Sequence, residues 1–447
     1  MKKFIDIFKN KEVVNRIFFT IMILFVFRIG SAITVPGVDA STLTDQISQS
    51  SNMLSLMNLL GGGALSNFSV FALGVSPYIT AQIIIQMLSM DVLPALTELN
   101  RQGQYGRKKA EMATRYLSLM ISAVQAYGII QTAKNTDWIT FTMEDNFLTY
   151  AYVISIMIGG SMLVLWLGDQ ITSKGIGNGI SVIIFAGIVA QLPNQIGTAF
   201  NKWVVTNWNL GSSETTKGVF QFILYILSFI LIIAFVVFIE LSRRKIPVQQ
   251  STRSGGNEKL AKASFLPIKV NSAGVIPVIF ASSILMVPSI IASFISSDAA
   301  NAEWLKVFSY NQLVNTGGVY IPWGLIIYIV LIFLFTFFYA NLQINPENLA
   351  ENFQKNGSYI PGIRPGIETE KYVRKVLNRV TLIGAVALCF IAALPVVLTL
   401  TGVFGSDTSL SLGGTGLIIV VGVALELNAQ ISGLVAGKSY DEVIGGI

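Results

Sequence analysis

Covalent chemistry needs side chains that ionise, ligate or attack, and this chain is short of them. Its 447 residues include no histidine and one cysteine, Cys389. That excludes a Ser-His-Asp hydrolase, a His-ligated zinc site and a His proton relay within the chain. A lone cysteine forms neither an internal disulfide nor a thiol cluster, and Cys389 lies in the apolar run ALCFIAALP, where a small core residue belongs. No phosphate-binding Walker loop is present. The expectation is a protein that is not an enzyme and holds no cofactor or metal.

The remaining spacing suits physical work instead. Val75 and Ile79 are four apart, as are Ile180 and Ile184, so each pair shares a helix face. By default such residues face lipid or core. A ring of aliphatic side chains can instead close a pore by dewetting. Close by, residues 53–90 read MLSLMNLLGGGALSNFSVFALGVSPYITAQIIIQMLSM. This stretch has membrane length, yet Gly61, Gly62 and Gly63 break it, and Gly74 and Pro77 interrupt it again before a better-formed helix around Ile79–Met90. Broken backbone at membrane depth survives only against protein or a water-filled cavity. Met53, Leu56 and Leu60 belong to about two turns of apolar helix, too short to span. Glycine takes backbone angles that other residues avoid. The segment therefore reads either as a plug on a glycine hinge or as a fixed re-entrant loop.

Polar groups inside apolar text are the other signal. Arg28 is the one clearly intramembrane base. A charge at mid-membrane costs roughly 2.5–3.5 kcal/mol, so Arg28 is expected to snorkel or to bond helix ends. Glu240 and Glu426 fall near the inner ends of their spans, where solvation is expected. With no acid at mid-span, an ion-coupled solute transporter with inverted repeats and an aspartate-pair intramembrane protease both lose support. Gln82, Gln86, Gln125, Ser282 and Ser283 are uncharged hydrogen-bonding groups in apolar helices. They read as helix–helix glue or as a polar seam that can part.

These groups must be positioned by membrane helices. Hydrophobic residues make up 53% of the chain and charged residues 12%, with a mean hydropathy of +0.64. Apolar runs of about 20 residues, the length that crosses hydrocarbon, recur near 17–35, 71–90, 115–133, 147–168, 176–197, 219–241, 272–295, 319–340, 380–401 and 413–435. Met1-Lys2-Lys3 ahead of an apolar run has the look of a secretion signal, but no small-residue cleavage site closes that run. Phe4–Val14 reads better as a short amphipathic surface helix. With the N-terminus placed in the cytoplasm, 25 of the 30 Lys and Arg fall in inner segments, and only Lys134, Lys202, Lys217 and Lys306 fall in outer ones. That pattern satisfies the positive-inside rule, with both termini cytoplasmic. Five spans per half make the second half start on the opposite side, the arithmetic of an inverted repeat. The divisions are an N-terminal segment 1–16, a first half 17–197, an outer connection 198–218, a second half 219–435 and a tail 436–447.

Two inner loops are long. Residues 242–270 carry Arg243, Arg244 and Lys245, and residues 341–379 carry Arg364, Lys371 and Arg374. Positive-inside anchoring explains their charge but not their length. A docking platform for a cytoplasmic partner explains the length and the Pro/Gly punctuation. In the second loop Pro361-Gly362-Ile363-Arg364-Pro365-Gly366 sets one arginine between two Pro-Gly turns, a rigid mount for contact with carboxylate or phosphate.

Seven stretches, spread over nearly the whole chain, resemble the SecY family, the central subunit of the bacterial protein-conducting channel. They are RIGSAITVPG (28–37), GGGALSNFSVFALGVSPYITAQIIIQML (61–88), GQYGRKKAEMATRY (103–116), WLGDQITSKGIGNGISVIIFAGIVA (166–190), FLPIKVNSAGVIPVIFASSIL (265–285), NPENLAENFQKNGSYIPGIRPG (345–366) and GGTGLIIVVG (413–422). The resemblance implies an all-α polytopic membrane protein of the bacterial plasma membrane. Its ten transmembrane helices form two pseudo-symmetric inverted five-helix halves around a central pore, closed by a short re-entrant plug helix. It implies a plug over 53–65, with Met53, Leu56, Leu60 and the glycines as plug and hinge. It implies a pore ring of Val75, Ile79, Ile180, Ile184, Ile279 and Ile419, with Val75 where many bacterial members carry isoleucine. Spans two and seven, against three and eight, would form a lateral gate that includes Gln82, Gln86, Gln125, Ser282 and Ser283. The two loops would dock the ribosome or the SecA motor ATPase. The small membrane subunits SecE and SecG, accessory Sec subunits and insertase, unfolded preproteins and membrane lipid complete the implied partners. A specialised accessory paralogue of the channel is the alternative within the family.

Overall fold

The computed structural model describes residues 10–39, 61–89, 104–135, 139–142, 146–206, 212–250, 264–295, 303–309, 313–316, 319–400 and 414–444, with the single residues 58, 98, 102, 144 and 208. Helices dominate because apolar text in lipid must satisfy its own backbone. Asn10 starts α1 (Lys11–Ala32) by accepting a hydrogen bond from the Glu12 amide. Pro77 does not interrupt span two. It sits in the first turn of α2 (Ser76–Leu88), where a missing N–H costs nothing. The chain continues through α3 (Gln104–Asn135), α4 (Phe147–Lys174), α5 (Gly179–Phe200), α6 (Ser212–Leu241), α7 (Ile276–Ile295), α8 (Trp323–Gln343), α9 (Pro346–Lys355), α10 (Ile367–Leu400) and α11 (Gly414–Ile444).

The ten predicted spans correspond in order to α1 to α8, α10 and α11. Seven described helices are long and apolar enough to cross a membrane, and α7 supplies a shorter apolar piece, Ile276–Leu285. Large apolar side chains such as Phe18, Phe25, Phe220 and Phe238 stand mostly exposed on α1 and α6, a surface that suits lipid and not water. The protein is a multi-pass membrane protein. Two expected boundaries differ. α3 begins well before residue 115 and α10 well before residue 380, because their charged first turns continue the helix beyond the apolar run. The expected surface helix Phe4–Val14 lies largely outside the described residues, and its last residues belong to α1.

Short strands accompany the helices. β1 (Val38–Asp39) pairs with β2 (Thr140–Phe141), and β5 (Val314–Thr316) with β6 (Val319–Ile321). More consequentially, the first long loop forms a hairpin of β3 (Arg243–Gln250) and β4 (Ser264–Lys269), which β7 (Ser358–Tyr359) joins through β3. Ile246, Val248 and Ile268 turn inward from this sheet, as period-two alternation requires. Ile246 and Ile268 meet Ile360, Val373, Leu377 and Val380, with Leu349 and Phe353 of α9 packed alongside. Asn345 caps α9 by accepting from the Glu347 and Asn348 amides. The two long loops thus share one small core, a head whose cluster is distinct from those of the spans but continues onto the start of α10.

Within the spans, one core joins α5, α6, α7, α8, α10 and α11. A second joins α3 and α4 to residues 65–73. A third draws on α1, α2, α4, α5, α7 and α11.

Candidate functional site

The third core brings the residues of the predicted ring into one cluster. Val75, Ile184 and Ile419 are buried, and Ile79, Ile180 and Ile279 pack half-buried against the same cluster. Val75, which precedes α2, joins residues of α2 and α5 from the first half and of α7 and α11 from the second. The six side chains are hydrocarbon throughout. They can exclude water and make no hydrogen bond to anything that replaces them.

Of the predicted plug, Met53, Leu56 and Leu60 lie outside the described residues. Gly61, Gly62 and Gly63 are described, and they are held in place. Gly62 has φ +70°, and a Cβ there would stand 2.8 Å from the Gly187 Cα of α5. Only glycine combines that angle with that approach. Its carbonyl accepts from Arg28 Nη1 at 2.7 Å. Arg28 therefore spends its charge on a peptide oxygen of the broken segment. The Gly63 amide donates to the Asn58 carbonyl at 2.8 Å, Gln191 Nε2 donates to the same oxygen at 3.2 Å, and the Ser66 amide donates to Asn58 Oδ1 at 3.0 Å. Sequence reasoning missed Asn58 and Gln191. An asparagine shortly before three glycines is a turn signal that could have drawn attention to the first. Beyond the glycines, Ala64, Leu65 and Phe68 are fully buried.

The helices of the predicted seam pack unequally. α2 packs extensively on α3, and α7 on α8, whereas α2 meets α7 only thinly. Ile83 of α2, Phe280 of α7 and Tyr339 of α8 form a small cluster across that boundary. The Tyr339 ring lies edge-on to Phe280 at 4.8 Å, and its hydroxyl donates to Gln86 Oε1 at 3.3 Å. The five predicted polar residues do not act alike. Gln86 crosses the seam. Ser282 and Ser283 both donate to the Ile279 carbonyl of their own helix, so they are not glue between helices. Gln82 is exposed. Gln125 is buried, with no partner for Oε1 among the described residues. Tyr339 was missed, hidden in the aromatic run FLFTFFYAN.

The head presents the predicted basic residues. Arg243, Arg244 and Lys245 are exposed, and the Lys245 ammonium lies 4.9 Å from the centre of the Phe265 ring. Arg364 is exposed on its double turn, where Gly362 and Gly366 take φ +80° and +105°. Thr369 Oγ1 fixes the turn by donating to the Arg364 carbonyl at 2.9 Å. Lys371 is exposed, but Arg374 is paired with Glu370 at 2.6 Å, so its charge is partly neutralised. Glu426 is exposed, as expected. Glu240 corrects its expectation of solvation: it is half-buried and accepts from Asn271 Nδ2 at 2.5 Å.

The family model described as SecY matches residues 69–428. The chain is 43% identical over 435 residues to protein translocase subunit SecY 1 of Lactobacillus kefiranofaciens subsp. kefiranofaciens, covering 97% of each chain. It is equally identical, over the same length and coverage, to protein translocase subunit SecY of Streptococcus sanguinis. Among solved structures it resembles a protein conducting channel with TM-score 0.64 and 19% identity, covering 94% of this chain and 92% of that one. It also resembles a SecY protein whose plug domain stabilises the closed state of the translocation channel, with TM-score 0.62, 18% identity and the same coverage. These structural likenesses establish the shared fold.

Proposed function

This chain belongs to the SecY family, and from that premise we propose that it is a passive channel for unfolded polypeptide. Secretory chains cross through the centre, and membrane segments leave sideways into lipid. One observation carries this reading: six aliphatic side chains from both halves converge in one cluster. A seal of that kind excludes ions yet is indifferent to the sequence that displaces it. The held segment around Gly61–Gly63 supports a plug on the outer side. The thin α2–α7 boundary, with the Tyr339–Gln86 bond from α8 to α2 beside it, supports a lateral gate. The exposed basic face of the head supports docking of the SecA motor or a ribosome, with SecE and SecG as membrane subunits. The charge distribution supports ten spans in the plasma membrane with both termini inside.

The direct test is reconstitution of the purified chain with its small membrane subunits in proteoliposomes. A preprotein should become protease-protected only with motor and ATP. Arg364→Glu should abolish that protection while leaving insertion of the channel intact. Protection without the channel, or saturable uptake of a small solute in place of preprotein, would refute the reading.

A further inference from the structure

Residues 270–275 join β4 to α7 as a strap, and the strap is held more tightly than a connection requires. Asn271, Ser272 and Ala273 are buried in succession, at 3%, 6% and 1% exposure. The Val270 amide donates to the Ser242 carbonyl at 3.0 Å and closes the base of the hairpin. The Val270 carbonyl rests against α10 at Gly384, where an added Cβ would come within 2.3 Å of it. Asn271 Nδ2 donates to the Glu240 carboxylate at 2.5 Å. Glu240 lies in the last turn of α6. One side-chain bond therefore ties the helix that enters the hairpin to the strap that leaves it. Thr381, on α10 near Gly384, is buried, and neither its Oγ1 nor Asn271 Oδ1 has a hydrogen-bond partner among the described residues. The tie is thus a single bond and not part of a closed polar network. Beyond it the chain turns at Gly274, which has φ +66° and open space where a Cβ would stand. Val275 follows and packs with the ring cluster, and the ring residue Ile279 comes one helical turn later.

We propose that the Glu240–Asn271 tie is the joint through which a partner seated on the hairpin turns α7 and so moves Ile279. Both are positioning residues for opening the pore. The proposal rests on the reading of the head as a docking surface. A displacement passes along a chain only through parts that cannot give. With the tie made, β3, β4 and the end of α6 move as one piece, and the first free torsions they meet are those of Gly274. There the displacement becomes rotation of α7. With the tie broken, slack at residue 271 absorbs the displacement before it reaches the helix.

Asn271→Leu keeps the volume of the side chain and removes the donor. Glu240→Leu breaks the same bond from the other side, and Glu240→Gln retains an acceptor oxygen. Protease resistance of the spans in membranes establishes that each variant is folded. For either leucine variant, motor affinity should stay within about twofold while motor-driven export falls roughly tenfold, within the range usual for coupling between sites. Glu240→Gln should recover most of the export. Asn271→Leu combined with Ile419→Asn should also recover it, because a loosened ring no longer depends on rotation of α7. Normal export in both leucine variants, loss of affinity in step with export, or no recovery with Ile419→Asn would overturn the joint. The docking reading fails separately, if replacing Arg243, Arg244 and Lys245 by glutamate leaves motor affinity unchanged.

Discussion

Ile419→Asn places an amide where the native side chain is 3% exposed. The cluster around it, including Val75, Ile184 and Val423, is apolar. Losing the burial of the isoleucine costs about 1.5–3 kcal/mol, and a buried amide without partners costs about 1–3 kcal/mol more. Both costs fall on the closed ring alone, since an open ring is wet and hydrates the amide. Even the lower sum, about 2.5 kcal/mol, raises the open-to-closed ratio roughly sixtyfold. Single-channel recording of the purified complex in planar bilayers measures that ratio as open probability. Ile419→Val removes one methylene, about 0.8 kcal/mol, and should shift the ratio only a few-fold. Ile130→Asn, at a fully buried site in a different cluster, should lower stability without raising conductance per folded channel. An unchanged open probability in Ile419→Asn would refute the ring as the seal. An equal rise in Ile130→Asn would show that leak reports loosening anywhere in the fold.

Further expectations follow from single contacts. Gly160→Ala would put a Cβ 1.9 Å from the Val70 carbonyl, whereas Gly159 has open space; thermal unfolding in detergent should show a loss of about 1–3 kcal/mol for the first and none for the second, and equal effects would deny the close contact. Arg28→Gln removes a charge-assisted bond to Gly62 worth about 1.5–3 kcal/mol, so hydrogen exchange across residues 61–69 should accelerate; unaltered exchange would mean that the segment is held by packing alone. Leu377→Ala empties a fully buried site in the head, at about 2–5 kcal/mol, and limited proteolysis should open the head while the spans stay protected. Cleavage unchanged from the parent would show that the head has no core of its own.

The spans were legible because membrane crossing imposes a length and a composition that survive without any knowledge of contacts. That Val75 shares a face with Ile79, and Ile180 with Ile184, was legible because i,i+4 spacing defines a face, although placing Ile279 and Ile419 in the same cluster needed the family resemblance. The hairpin was hidden by Pro247 and Pro267, which cannot donate to a strand ladder. The partners of Arg28 and Gly63 were hidden for another reason: they are main-chain oxygens, which every residue carries and no letter marks. Glu240 sat where a surface acid would sit, and only the fold brings Asn271 back to it from the far side of a loop.

The head has its own core, Ile246, Ile268, Val373 and Leu377 among others, built on helix turns and strands too charged to lie in hydrocarbon. Burial from water there carries a large heat-capacity change and weakens on cooling. Packing between helices in lipid has no such driving force, because lipid tails are as apolar as the side chains they replace. One chain therefore combines two temperature laws. As temperature falls, burial within the head weakens, whereas packing between the spans has no such term to lose.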